Sequence, residues 1–320
     1  MLSQGQPMNA QPAETRSDGT PHAGPVIALG LGVAAVSFAA ILISFARASG
    51  LPALSIAALR MAIAALVVAP VALLRCRAEI RALPARDLVL GVAAGILLAL
   101  HFGFWTSSLD STSVMSSVVF VSTNPLFVVA ASALLFKERL RPATLAGIGA
   151  ALVGGVVVGL ADVGQVGSAS TRGDIMALLG AVSASGYLLV GRRLRTRMSL
   201  PLYVGITYVT AAAALLGVVG ITGTRLTGYP ATGYLWVLLL ALGPQLLGHT
   251  SYNYALKYVS ATLVAVSLLG EPIGATLLAI PLLSQVPSVF RIAGGICILA
   301  GIFLAARGEA GSKGMRAPRK

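Results

Sequence analysis

The chain has 320 residues, of which 57% are hydrophobic and 10% are charged, and its formal net charge is +13. Soluble domains carry about 25% charged residues, so this composition excludes a soluble globular protein and indicates an integral membrane protein. The two cysteines, Cys76 and Cys297, offer neither a disulfide framework nor the ligand spacing of a metal site.

Ten apolar stretches are each long enough to cross a bilayer, which takes about 20 mostly apolar residues. The first follows a polar segment, residues 1–24, that is predicted to be a disordered tail. This first stretch is too long for the core of a signal peptide, so it is expected to remain in the membrane. The predicted spans are 25–45, 52–74, 88–109, 113–136, 142–161, 174–191, 200–222, 234–256, 260–283 and 288–307.

The distribution of basic residues predicts the orientation of these spans. If the N-terminus is cytoplasmic, most of the 23 lysine and arginine residues fall in tails and loops on that same side, including a basic C-terminal tail, residues 308–320. Such an asymmetry over short loops predicts that both termini are cytoplasmic. The positive charge is therefore assigned to the membrane surface, and nucleic-acid binding is not expected.

The two halves of the chain, residues 25–161 and residues 174–307, resemble each other and hold five predicted spans each. Aligned positions, called repeat mates below, include Gly32 with Gly180, Ser37 with Ser185, Leu109 with Leu256, Ser113 with Ser260, Pro125 with Pro272, Gly147 with Gly294 and Gly154 with Gly301. Since five is odd, the second half is expected to enter the membrane inverted. Inverted repeats are typical of secondary transporters, which alternate between inward-open and outward-open states.

Three segments carry a resemblance to a known family: ALRMAIAALVVAPVALLR in the second span, LFKERLRPATLAGIGAALVGGVVV over the fourth and fifth, and ALKYVSATLVAVSLLGEPIGATLLA over the eighth and ninth. With the five-plus-five arrangement, residues 25–307 resemble the EamA-type transporters of the drug/metabolite transporter superfamily. The resemblance implies an all-α integral membrane protein of ten transmembrane helices, a central cavity between two inverted repeats, and efflux of small metabolites across the bacterial cytoplasmic (inner) membrane. One difference is visible. The family often ends both the fourth and the ninth span with a glutamate, whereas this chain has Glu138 but Gln285.

Two polar residues lie at the centres of predicted spans, each directly before a proline. Glu271 precedes Pro272 in the ninth span, and its repeat mate Asn124 precedes Pro125 in the fourth. A carboxylate at this depth is costly unless it is paired, solvated or protonated, and a proline frees backbone carbonyls that a water-filled cavity accommodates. Glu271 and Asn124 are therefore predicted to face the substrate path, with a helix break at each proline. The alternative is that they hydrogen-bond to neighbouring helices and stabilise a kink.

Arg60 is the other charge predicted to lie deep in a span. It either neutralises Glu271, holds a carboxylate of the substrate, or extends its long side chain outward to the membrane surface. The sequence leaves these three alternatives open.

Two groups of polar and aromatic residues occupy matching places in the third and eighth spans, each spaced to share one helix face. They are His101, Phe104 and Trp105 in one half and His249, Tyr252 and Asn253 in the other. Under an inverted topology one group is expected toward the outside and the other toward the inside, as walls or gates that flank a midplane site. The alternatives are packing histidines and, for Trp105, an interface anchor.

These residues predict a secondary transporter, not an enzyme, that uses no cofactor or metal and contacts membrane lipids and a small-molecule substrate. Because the spans lack clusters of lysine and arginine, an amino-acid-like zwitterion or a cation is expected in preference to a polyanion. Coupling to protons through Glu271 is left open, as are the oligomeric state and the direction of transport. A passive channel or facilitator, and an intramembrane enzyme, are the alternatives. The chain has no Walker motif, which excludes ATP-driven transport by this chain alone.

Overall fold

The computed structural model describes residues 23–136, 142–163 and 168–313. Nearly all of the predicted N-terminal tail, Glu138 and the last seven residues of the predicted C-terminal tail, 314–320, lie outside these ranges. Within them every regular element is helical. The elements are α1 (Ala23–Ser37), α2 (Ala39–Ala48), α3 (Ala53–Arg75), α4 (Arg77–Arg81), α5 (Ala85–Ser108), α6 (Val114–Val121), α7 (Asn124–Phe136), α8 (Pro142–Val163), α9 (Ser168–Arg195), α10 (Leu200–Thr222), α11 (Ala231–Leu240), a π-helical segment (Ala241–His249), α12 (Thr250–Ala255), α13 (Ala261–Ser267), α14 (Gly270–Leu283) and α15 (Val289–Lys313).

Eight helical stretches in the described residues are long and apolar enough to cross a membrane. They are Ala23–Ala48, Ala53–Arg75, Ala85–Ser108, Val114–Ala131, Thr171–Arg195, Leu200–Thr222, Ala231–Ala255 and Ala261–Leu283. The protein is therefore a multi-pass membrane protein. The predicted fifth and tenth spans coincide with shorter apolar stretches in α8 and α15, Leu145–Gly154 and Val289–Leu304. Ten spans remain a prediction.

Local sequence signals explain where several helices begin and end. The repeat mates Ser113 and Ser260 cap α6 and α13, because each hydroxyl accepts a hydrogen bond from the backbone N–H three residues later. Ser199 caps α10 in the same way, and α10 ends at Gly223, whose φ of 66° favours glycine.

The fourth and ninth predicted spans are each divided into two helices. The breaks lie at residues 122–123 and 268–269, just before the predicted break positions Pro125 and Pro272. The reason is steric, because a proline ring clashes with the carbonyl four residues earlier and so ends the preceding helix there. Each proline itself lies in the first turn of the following helix, where its missing N–H removes no helical hydrogen bond.

The helices α8 and α15 pack closely and antiparallel through glycines. A Cβ on Gly154 would lie 2.6 Å from the carbonyl oxygen of Gly294, and a Cβ on Gly301 would lie 2.6 Å from that of Gly147. The contact is reciprocal, since Gly301 and Gly147 are the repeat mates of Gly154 and Gly294. Small residues permit such close approach of helices within a membrane.

The inner helices of the two halves interlock. A Cβ on Gly32 of α1 would lie 2.5 Å from the ring of Tyr252 in α12, and a Cβ on Gly180 of α9 would lie 3.4 Å from Trp105 in α5. The first span of each half thus packs against the third span of the other half. This crossing brings both predicted groups of aromatic residues to the centre of the protein.

Candidate functional site

A cavity lies at the centre of this helix bundle, between α1, α5, α9, the π-helical segment and the two helix breaks. A water-sized sphere can occupy about 30 Å³ of it, within about 540 Å³ of atom-free space that includes its mouth. Six of the residues predicted from sequence line it: Glu271, Asn124, His101, Trp105, His249 and Tyr252. Ser122 and Tyr187 also line it and were not predicted.

Both helix breaks open onto the cavity. Val121, Ser122 and Asn124 line it from the first break, and Leu268 and Glu271 line it from the second. A helix N-terminus carries partial positive charge, so an acid in the first turn of α14 is favourably placed. The first turn of α7 has no acidic residue. The second break therefore presents a carboxyl group to the cavity, and the first break presents the N-terminus of α7 without an acidic side chain.

One wall of the cavity is formed by His101 and Trp105 of the first group and by His249 and Tyr252 of the second. The ring centroids of His101 and His249 are 6.2 Å apart, that of His101 is 6.0 Å from Trp105, and that of His249 is 5.8 Å from Tyr252. That one group lies toward the outside of the membrane and the other toward the inside stays a prediction. The two histidines, one from each group, lie side by side at the cavity.

Four buried polar atoms on the cavity lining have no hydrogen-bond partner among the described residues. They are Trp105 Nε1, Ser122 Oγ, Asn124 Oδ1 and Tyr252 OH. Buried polar atoms normally have partners, so atoms without one at a cavity are available to a bound molecule. Because they include both a donor and an acceptor, they suit a polar molecule that carries both kinds of group.

Asn253 lies behind the cavity wall instead of on it. The hydroxyl of Tyr187 donates a 2.6 Å hydrogen bond to Asn253 Oδ1, and Asn253 Nδ2 donates a 3.5 Å bond to the hydroxyl of Tyr208. Arg195 Nε donates to the Asn253 carbonyl at 2.9 Å. Asn253 therefore holds α9, α10 and α12 together and is connected to the cavity through Tyr187.

Arg60 is completely buried, so its side chain does not extend to the membrane surface. Its Nε donates a 2.9 Å hydrogen bond to Gln245 Oε1, and its guanidinium carbon lies 3.9 Å from the ring centroid of Phe102. Within the described residues Arg60 forms no ion pair with Glu271 and does not line the cavity. Gln245 was not predicted; the available signal was a polar amide next to Pro244 in an apolar span.

Matching helix ends in the two halves are each closed by an arginine. Arg47 Nη1 donates a 2.6 Å hydrogen bond to the carbonyl of Leu109, and Arg192 Nη1 donates a 2.6 Å bond to that of its repeat mate Leu256. Arg47 Nε also lies 2.5 Å from a carboxylate oxygen of Asp110. Partial burial raises the pKa of Asp110, and the charge of Arg47 opposes that shift.

Comparisons with known proteins agree with this architecture. The sequence profile of the EamA-like transporter family matches residues 25–160 and 171–307. An uncharacterized transporter of Clostridium kluyveri is 25% identical over 75% of this chain and 78% of its own length. An uncharacterized transporter of Archaeoglobus fulgidus is 26% identical over 79% of this chain and 88% of its own length. A crystal structure of another protein superposes with a TM-score of 0.67 over 92% of this chain and 99% of that chain, and its 23% identity makes this a likeness of fold.

Proposed function

Because this chain belongs to the EamA-like transporter family, we propose that it is a secondary transporter that exports small metabolites by alternating access. It has ten membrane-spanning helices in two inverted repeats, residues 25–161 and 174–307, and both termini are cytoplasmic. It lies in the cytoplasmic membrane of a bacterium. Proteins of this family are transporters and not enzymes, which disfavours an intramembrane enzyme.

The observation that best supports alternating access is the symmetry of the residues that line the cavity. Four pairs of repeat mates face the cavity: Val36 with Ala184, His101 with His249, Val121 with Leu268, and Asn124 with Glu271. A cavity built from mates lies on the axis that relates the two halves. When inverted halves exchange conformations, such a cavity changes the side on which it opens while its own residues stay together.

The chemistry of the lining supports an amino-acid-like zwitterion or a cation as the substrate. Glu271 offers a carboxyl group for an ammonium, and the rings of Trp105 and Tyr252 offer faces that attract a cation. The first turn of α7 and the Trp105 indole N–H suit a carboxylate. Within the part of the chain that the structure describes, no lysine or arginine lines this cavity, so a polyanion would be buried there without counter-charge.

Transport in proteoliposomes tests this function. The purified protein, reconstituted in vesicles loaded with a mixture of unlabelled amino acids, should accumulate a labelled amino acid by saturable counterflow that the unlabelled compound inhibits. Vesicles without protein are the control. A flux that rises linearly with concentration and is not inhibited by competitor would instead indicate a channel or facilitator.

The substitution Asn124→Ala tests whether the substrate binds at this cavity. Asn124 Oδ1 is buried without a partner at the cavity, so the variant should fold while its half-saturation concentration for the zwitterion rises. If the variant folds and binds every tested amino acid as the wild type does, the site assignment is wrong even where transport itself is found.

A further inference from the structure

Arg60 is a buried cation for which the described residues provide no bound anion. It lies on α3, completely buried against α5, α10 and the π-helical segment, and none of the described carboxylates lies within ion-pair distance of it. Burying an unpaired charge is costly even after the surroundings relax, and the cation–π contact with Phe102 offsets only part of that cost.

The polar atoms around Arg60 that lack partners are all donors. Among the described residues, Arg60 Nη1 and Arg60 Nη2 are buried and have no hydrogen-bond partner, and Gln245 Nε2 forms no hydrogen bond of standard geometry, although the Tyr208 hydroxyl lies within its reach. The orientation of the Gln245 amide is fixed, because its oxygen accepts the hydrogen bond from Arg60 Nε. Gln245 Nε2 is bonded to the same carbon as that oxygen and therefore lies beside the guanidinium. The two Nη groups of one guanidinium without an acceptor, with an amide N–H nearby, are complementary to an anion.

Gln245 lies in a segment of unusual helical geometry. Ala241–His249 is π-helical, with the wider i to i+5 turn, and contains Pro244. π-helical turns inside α-helices are rare, and those that occur are often found at functional sites. On the other side of the guanidinium, Phe102 separates Arg60 from His249 and the cavity, since the rings of Phe102 and His249 are 5.0 Å apart.

We propose that Arg60 and Gln245 form a binding site for a small monovalent anion, behind the aromatic wall and distinct from the central cavity. The guanidinium Nη groups and the Gln245 amide N–H donate to the anion, and Phe102 covers the guanidinium face. Two sources share this chemistry: a chloride ion, and the carboxylate group of a small organic acid. The charged or titratable groups within electrostatic reach are Tyr208, Glu271, His101 and His249.

Thermal unfolding of the purified full-length protein in detergent tests the site without requiring transport. The midpoint Tm is measured at constant ionic strength in sodium chloride, in sodium formate, and in sodium methanesulfonate as a bulky reference anion. Wild-type Tm should rise saturably as chloride or formate replaces methanesulfonate. A response to chloride identifies the halide as the occupant, and a response to formate alone identifies a carboxylate.

Two variants assign the response to these residues. Gln245→Leu removes the amide donor and leaves Arg60 in place, and it should weaken the anion affinity at least about tenfold, as expected for the loss of a hydrogen bond to a charged group. Gln245→Glu supplies a fixed carboxylate beside Arg60, and its Tm should no longer respond to either anion. Arg47→Gln, which removes an arginine that already pairs with Asp110, should keep the wild-type response.

Equal Tm values for the wild type in all three salts would overturn the proposal. So would an unchanged saturable response in both Gln245 variants, because the anion would then bind elsewhere. Since neither measurement uses a transported solute, either result leaves the transport function standing, and a failure of counterflow leaves the anion site standing.

Discussion

The imidazole rings of His101 and His249 are 6.2 Å apart, although the two residues come from opposite halves of the chain. They are repeat mates, yet their surroundings differ. His101 Nδ1 is hydrogen-bonded to the carbonyl of Gly180 at 3.0 Å, whereas in the described part of the chain His249 has no such bond to Gly32, the mate of Gly180. If the two halves exchange conformations, each end state should place repeat mates in unequal surroundings. The second state would then give each histidine the surroundings that its mate has here.

Cysteines at Val36 and Ala184 should report that exchange. These repeat mates line the cavity from α1 and α9, and both are small enough for substitution. In a background with Cys76→Ala and Cys297→Ala, adding substrate should raise the labelling rate of one position by an impermeant thiol reagent and lower that of the other. Parallel changes at both positions would contradict alternating access.

Glu271→Gln should separate proton coupling from substrate binding. The amide stays polar at the start of α14 but cannot ionise, so the variant in proteoliposomes should still exchange substrate for substrate while losing its response to an imposed pH gradient. Glu79→Gln is the matched control, because Glu79 lies outside the cavity and accepts a hydrogen bond from the backbone of Ser199. Accumulation driven by the gradient as in the wild type would show that Glu271 is not the proton site.

Two tyrosines on the cavity should respond differently to loss of the hydroxyl. Tyr187→Phe leaves buried Asn253 Oδ1 without its 2.6 Å hydrogen bond, so the free energy of unfolding should fall by about 1–3 kcal/mol and Tm with it. Tyr252→Phe removes a hydroxyl that has no hydrogen-bond partner among the residues described, so Tm should stay the same while the half-saturation concentration for substrate rises. Thermal unfolding and counterflow of both variants check this, and a reversed order of Tm values would refute it.

Gly154→Ala should destabilise the protein strongly, because its Cβ would lie 2.6 Å from a backbone oxygen of α15 that is held in place by its own helix. Gly149→Ala, on an open face of the same helix, meets nothing within 4 Å and should be neutral or slightly stabilising. Tm measurements in detergent compare the two. Equal Tm values would mean that the glycine contact does not hold α8 and α15 together.

The sequence predicts that a residue lies deep in a span better than it predicts which way its side chain faces. The mid-span prolines with their polar neighbours were enough to find both helix breaks, Glu271 and Asn124, because breaks and buried charges are costly in lipid and are kept near a cavity. The spacing of polar and aromatic residues in two matching spans gave the other four cavity-lining residues. Arg60 and Asn253 were equally visible, yet both lie behind the wall. In a span that is apolar all round, hydrophobic periodicity does not tell which face meets a neighbouring helix, and Tyr187 and Gln245 were missed for the same reason.

The reciprocal contact of Gly154 with Gly294 and of Gly301 with Gly147 has the form of an isologous interface, the kind that joins two identical subunits about a two-fold axis. Two identical subunits must carry the same side chain at both symmetry-related positions. A single chain that contains both copies is free of that restriction. Here one copy has an amide at its break, Asn124, and the other has an acid, Glu271. Because the two copies are joined in one chain, their residues at the axis can differ in chemistry. One half contributes the uncharged amide of Asn124, and the other contributes the carboxyl group of Glu271, which can carry charge.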